Sequence, residues 1–239
     1  WQTTFTNEDP NAFYDCMGFF DRQHGLAVSD PVDGKFRVIS TSDGGRHWAV
    51  MPTAGMPKAL DGEFGFAASG TCLVTSGHRD AWIGSGGAAN GRVFHTANRG
   101  RSWVVRSTPI AGGPSAGIFS LAFRGTHDGV AVGGDFATPA AAVDAAGWTT
   151  DGVGKWQLSR SMPGGYRSGA AWVPGSRATV IAVGPTGSDV SRDAGRTWTG
   201  FDTASYDVVQ CAAGGGCWAS GDAGAVAKLV RGQASASDS

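Results

Sequence analysis

Residues 191–198 read SRDAGRTW, and the same frame occurs three more times: TSDGGRHW at 41–48, TANRGRSW at 96–103 and TTDGVGKW at 149–156. A catalytic loop is usually written once, whereas a turn that closes a structural unit recurs with every unit. Each copy has a hydroxyl residue first, Asp or Asn third, Gly fifth and Trp eighth, except that Val153 replaces the glycine in the third copy. The final tryptophans stand at 48, 103, 156 and 198, and Trp1, followed by Gln2, Thr3 and Thr4, reads as the end of one more copy. The gaps of 47, 55, 53 and 42 residues suit four-stranded propeller blades.

The chemistry of the frame is that of a locked hairpin turn. Asp43, Asn98, Asp151 and Asp193 offer an oxygen to backbone N–H groups, and Gly45, Gly100 and Gly195 supply the positive φ of a tight turn. Trp48, Trp103, Trp156 and Trp198 then fill the gaps between neighbouring sheets. A metal role is disfavoured, because each turn carries one box carboxylate where calcium takes several oxygen ligands. Neither a metal nor a cofactor is expected.

Between the turns, short apolar runs alternate with Gly, Asp and Pro, as in successive strands. The first blade reads as strands at 14–20, 25–29, 36–40 and 48–51. The second reads as 71–76, 81–85, 92–96 and 103–106, the third as 118–123, 129–133, 146–150 and 156–159, and the fourth as 170–173, 179–183, 188–191 and 198–201. A last unit has 206–211, 217–220 and 225–230 and lacks a fourth strand, which the opening WQTTF can supply. The expected fold is all-β, a propeller of four-stranded antiparallel blades over residues 1–231, with four full blades and a fifth closed by residues 1–6. A larger ring with leading blades outside this chain is the alternative. The small, polar stretch 232–239 is expected to be disordered.

Composition narrows the function. Of 239 residues, 41% are hydrophobic and 16% charged, with 39 Gly, which suits a packed, turn-rich globule. A net charge of −1 gives no long-range field toward nucleic acid. No apolar run is long enough for a membrane helix. The chain starts at Trp1 without a basic-then-apolar leader, which points to processing or to a piece of a longer protein. Four cysteines are too few and too irregular for a zinc ribbon. Cys211 and Cys217 flank AAGGG between two strand-like runs, where a cross-hairpin disulfide or two buried thiols both fit; Cys16 and Cys72 read as core or loop thiols. A disulfide requires an oxidising compartment, and a periplasmic or secreted monomer is the expectation.

The repeated frame resembles the Asp-box, or BNR, repeat of sialidase-type and several unrelated propellers. FTNEDPNAFYDCMGFFD from Phe5, AVSDPVDGKF from Ala27, GIFSLAFR with GVAVGGDF from Gly117, and GGYRSGAAWVPG with VGPTGSDVSRDAGRTW from Gly164 add a closer resemblance. They look like bacterial propellers related to the photosystem II stability and assembly factor, often labelled "oxidoreductase". The resemblance runs over nearly all of residues 1–231 and implies a fold more than an activity. Members usually have seven blades, about two of them before the point where this chain starts. The assembly factor itself binds reaction-centre polypeptides, which makes a polypeptide or small polar ligand the expected partner.

An enzyme reading finds little support. A sialidase resemblance would imply an Arg triad, a Tyr nucleophile assisted by Glu and an Asp acid/base, yet Arg46, Arg101 and Arg196 sit inside the repeated turns and only Glu8 and Glu63 are Glu. A glycosidase needs two placed carboxylates; Asp30, Asp135 and Asp189 are available, but nothing in the sequence pairs them. No GxGxxG joins a strand to a helix, and no histidines have metal-ligand spacing. Loops after second strands and before inner strands share the rim opposite the repeated turns. Tyr14, Asp15, Asp30, Asp135, Tyr166, Arg167 and Asp189 fall there. Tyr and Arg are frequent interface anchors, and Arg167 is placed to grip a carboxylate. The expected function is a non-enzymatic binding or assembly-assisting propeller that uses this rim, with a sialidase-like glycan-binding or glycoside-cleaving propeller as the alternative.

Overall fold

The computed structural model describes residues 1–214 and 216–230. They form five antiparallel sheets in chain order. The first holds β1 (Tyr14–Phe19), β2 (Gly25–Val32), β3 (Lys35–Thr41) and β4 (Ala49–Val50). The second holds β5 (Leu73–Ser76), β6 (Asp80–Gly84), β7 (Asn90–Thr96) and β8 (Val104–Ala111). The third holds β9 (Ala116–Arg124), β10 (Asp128–Asp135), β11 (Ala146–Thr149) and β12 (Gln157–Leu158). The fourth holds β13 (Gly169–Trp172), β14 (Val180–Gly184), β15 (Gly187–Ser191) and β16 (Thr199–Asp202). The fifth has three strands, β17 (Val208–Ala212), β18 (Gly216–Ser220) and β19 (Val226–Lys228). The inner strands β1, β5, β9, β13 and β17 pack against one another in that order, which is the blade arrangement of a β-propeller.

Three of the four repeated turns are closed by the same bonds. In the first, the Thr41 hydroxyl accepts the Gly45 N–H at 2.9 Å and donates to Asp43 Oδ1 at 2.9 Å, and Asp43 Oδ1 accepts the His47 N–H at 3.0 Å. Thr96 with Asn98 and Ser191 with Asp193 repeat it atom for atom. These three turns run through two consecutive positive-φ residues, Gly44 and Gly45, Arg99 and Gly100, Ala194 and Gly195. The third copy departs where its sequence does. Gly152 has positive φ but Val153 does not, since a β-branched residue is strained there. The Val153 N–H turns instead to Asp151 Oδ1 at 3.1 Å.

The tryptophans cement neighbouring blades. Trp103 is buried among Leu26 and Phe36 of the first blade and Ile83 and Phe94 of the second; Trp156 and Trp198 hold the same place at the next two junctions. The fifth sheet has no such tryptophan, and a cavity of about 760 Å³ lies between it and the fourth, lined by Ile181, Val190, Cys217 and Leu229 among others.

Three details differ from the reading of the sequence. Residues 1–6 form no strand and Trp1 is exposed, so the fifth sheet gains no fourth strand from them. Cys16 and Cys72 are not free thiols: they form a disulfide with Cα atoms 5.8 Å apart, which ties β1 of the first blade to the start of the second. Cys211 and Cys217, directly opposite on β17 and β18, form another. The stretch 232–239 lies outside the described residues. No helix among the described residues is long and apolar enough to cross a membrane.

Candidate functional site

Strand order puts the turns β1–β2 and β3–β4, and their counterparts in later blades, on one rim. The β2–β3 turns and the connections into each inner strand lie on the other. On this second rim the first blade brings two carboxyls together. Pairing of β1 with β2 steps from Tyr14↔Ser29 to Cys16↔Val28, which leaves Asp15 in a bulge. Pairing of β2 with β3 steps from Ser29↔Arg37 to Pro31↔Phe36, which does the same to Asp30. Bulges re-aim side chains, and these two turn Asp15 and Asp30 to each other.

Burial and the neighbouring Asp30 charge push Asp15 up to about 7. Burial also raises Asp30, while the Gly65 N–H, at 2.8 Å from its Oδ1, and the Asp15 hydroxyl hold it down. Two adjacent carboxyls cannot both ionise cheaply, so one proton is shared near neutral pH and rests on Asp15. Asp15 Oδ2 is buried without a partner among the described residues. A side chain at Gly65 would meet it at 2.8 Å, so only glycine leaves room there.

Beside Gly65 an aromatic cluster continues across the rim. Phe66 stacks on Phe119 at 3.7 Å, Tyr166 meets Phe119 edge-on at 4.6 Å, and Phe136 caps both phenylalanines at 6.4 and 6.2 Å. Phe136 remains 52% exposed, as is Phe13 at 63%. Phe66 enters because Gly86 and Gly117 bear no side chain; a Cβ on Gly86 would lie 2.4 Å from its ring. Asp135, just before Phe136, accepts the Ala137 N–H at 2.8 Å. The Ser115 hydroxyl and nearby N–H groups hold its carboxyl below the ordinary range.

Three of the seven rim residues serve the interior instead. Arg167 is 2% exposed and Asp189 1%. Arg167 donates to Asp189 Oδ2 through Nε at 2.6 Å, its Nη2 pairs with the same oxygen at 2.5 Å, and its Nη1 donates to the Tyr166 carbonyl and Thr186 hydroxyl at 2.9 Å. The guanidinium is thus neutralised inside the fold, although the pair borders a cleft of about 600 Å³ that Thr186, Ser188 and Asp202 also line. Tyr166 is buried, and desolvation together with the Asp207 charge raises its hydroxyl. Tyr14 is part-buried, its hydroxyl has no hydrogen-bond partner among the described residues, and it packs edge-on against Phe5 at 5.8 Å and lies near Arg37, which pairs with Asp9 at 2.6 Å.

The sequence reading missed Phe66, Phe119 and the buried pair of Arg92 with Glu63. The last repeats the Arg167–Asp189 device with the charges exchanged: each pair ties a segment leading into an inner strand to the third strand of the same blade. The signal for Phe66 was EFGF at 63–66, two aromatics around a glycine within a long connection. Phe119 lies inside an apolar strand and gives no such sign.

No family model and no curated protein sequence matches the chain. Among solved structures it is similar to YCF48 bound to D1 peptide, with a TM-score of 0.53 and 17% identity over 87% of this chain. It spans 60% of that chain's length. It also matches the Niastella koreensis GH74 enzyme (TM-score 0.48, 11% identity, 86% of this chain, 44% of that one). The GH74 xyloglucanase from Xanthomonas campestris matches with a TM-score of 0.42 and 15% identity over the same shares. The chain therefore has the β-propeller architecture seen in YCF48.

Proposed function

We propose that this protein is a non-enzymatic binding or assembly-assisting propeller that engages an extended polypeptide on the rim opposite the repeated turns. The observation that carries the reading is the continuity of Asp30, Asp15, Phe66, Phe119 and Phe136 across that rim: an acid pair beside an aromatic surface still partly open to solvent. Carboxyls offer acceptors to peptide N–H groups or cationic side chains, and aromatic faces take apolar side chains. The D1 peptide held by YCF48 supports polypeptide binding in this architecture. Two disulfides favour an extracytoplasmic location.

A glycosidase needs carboxyls about 5 Å or more apart, on either side of the scissile bond. Asp15 and Asp30 interact directly, which suits a shared proton and leaves no space for a sugar between them. The test is selection of peptides from a random display library with the wild-type protein, followed by titration against Phe136→Ala and Asp30→Asn. The reading expects selected peptides to lose at least about tenfold in affinity, the weight of one anchor residue. Unchanged affinity in both variants removes the site, and turnover of a chromogenic glycoside that Asp15→Asn abolishes replaces the reading with the enzyme alternative.

A further inference from the structure

The near-neutral total of −1 conceals two rims of opposite charge. On the rim of the repeated turns, Arg22, Arg79 and Arg177 occupy the turns between first and second strands, and Arg46, Arg101 and Arg192 those after third strands. All six are exposed, and among the described residues none is in an ion pair. The carboxylates of this rim are already engaged. Asp21 bonds His24, Asp80 bonds His95 and Asp128 bonds Arg124, while Asp43, Asp151 and Asp193 bond N–H groups inside their own turns. The opposite rim instead exposes Glu8, Asp33, Asp61, Asp202 and Asp222.

The layout of the cations selects the kind of partner. They sit at hairpin tips of three different blades, spread round a rim, and converge on no groove; Arg192 alone borders the cavity between the fourth and fifth blades. The larger cavities lie at the junction of the fourth and fifth blades and beside Arg167. Trp103, Trp156 and Trp198 of this rim are buried, so they offer no stacking platform of the kind that single-stranded nucleic acid uses. A spread of point charges that converges on no groove and offers no platform matches a flat polyanion. We propose that this rim docks the protein on an anionic lipid bilayer, with the acidic rim facing away. The second strands, of five to eight residues, separate the rims by roughly 15–30 Å. That is about two to four Debye lengths at physiological salt, so the acidic rim does not cancel the attraction. This inference stands apart from the peptide-binding reading and survives its failure.

The test is co-sedimentation with vesicles of phosphatidylcholine alone and of phosphatidylcholine with one-third phosphatidylglycerol. Wild type is expected to pellet only with the anionic vesicles and to be released by high salt. In the variant Arg22→Gln, Arg79→Gln, Arg101→Gln, Arg177→Gln, none of the replaced side chains makes a hydrogen bond among the described residues, so the melting profile should hold. Its vesicle affinity is expected to fall about 100-fold or more, from about fivefold per lost cation. If the fourfold variant does not fold, Arg22→Gln and Arg177→Gln alone each read about fivefold. Equal binding to neutral vesicles, retention in the variants, or binding of duplex DNA or polyglutamate without binding of anionic vesicles each overturns the proposal.

Discussion

The two rims are built from the same strands and answer to different rules. The rim of the repeated turns is periodic: hydroxyl, carboxylate or amide, and glycine make the same bonds in three copies, and the copy at 149–156 deviates around Val153. The opposite rim is irregular, made of bulges, a long connection and glycines that admit one another's neighbours. Repetition therefore marks what holds the propeller together, and departure from repetition marks the rim proposed to bind.

The comparison is most strongly tested at Arg167, which lies on the irregular rim yet belongs to the scaffold. Arg167→Ala leaves Asp189 buried and unpaired, and a loss of about 3–5 kcal/mol is expected in denaturant unfolding. A fully stable variant with impaired peptide binding would return Arg167 to the binding surface. Next come the tryptophans. Trp198→Ala empties a filled junction and is expected to cost about 3–5 kcal/mol. Trp48 is only half-buried, against Phe19 at 5.8 Å, and its truncation should cost less than half as much. Equal losses at both positions would break the account of the tryptophans as cement between blades.

Smaller effects separate the rims by pH. Asp193 is held below the ordinary carboxylate range: part-burial opposes this, but the Thr197 hydroxyl and N–H and the Ser191 hydroxyl outweigh it. A depressed folded value contributes stability that is present above the unfolded value of 3.8 and lost as pH falls. Asp193→Ala is expected to cost about 1–2 kcal/mol at neutral pH and progressively less in acid. Asp15 has the opposite sign. Its folded value is raised from 3.8 to about 7, so its stabilising contribution is full below pH 3.8 and lost as pH rises through about 7. Asp15→Asn should therefore be the more stable protein at pH 8, by about 1–2 kcal/mol after allowing for solvent screening. Melting temperatures across pH 4 to 8 check both, and parallel profiles for the two variants would show that the rims do not differ in this way.

How much was legible follows from the same contrast. SRDAGRTW and its copies gave the blade period, the turn chemistry and the tryptophan positions, because local bonds and spacing suffice for them. The strand readings land on the observed strands with shifts of a few residues at the ends. Asp15 and Asp30 were legible as rim residues but not as a pair, since their approach depends on two bulges that no local propensity announces. Cys16 and Cys72 are 56 residues apart, and their bond depends on how two blades meet. The burial of Arg167 was not legible for a related reason: its partner Asp189 lies 22 residues away, and burial of a guanidinium is a tertiary outcome. Phe66 and Phe119 meet only because Gly86 and Gly117 clear a path between blades.

The central claim is that the irregular rim is the binding face. The most direct measurement is photo-crosslinking of a display-selected peptide that carries benzoyl-phenylalanine, with the sites of attachment read by mass spectrometry. Attachment to segments 9–15, 30–33, 60–66 and 135–140 is the predicted result. Attachment to the repeated turns at 42–48, 97–103 or 192–198 would contradict it.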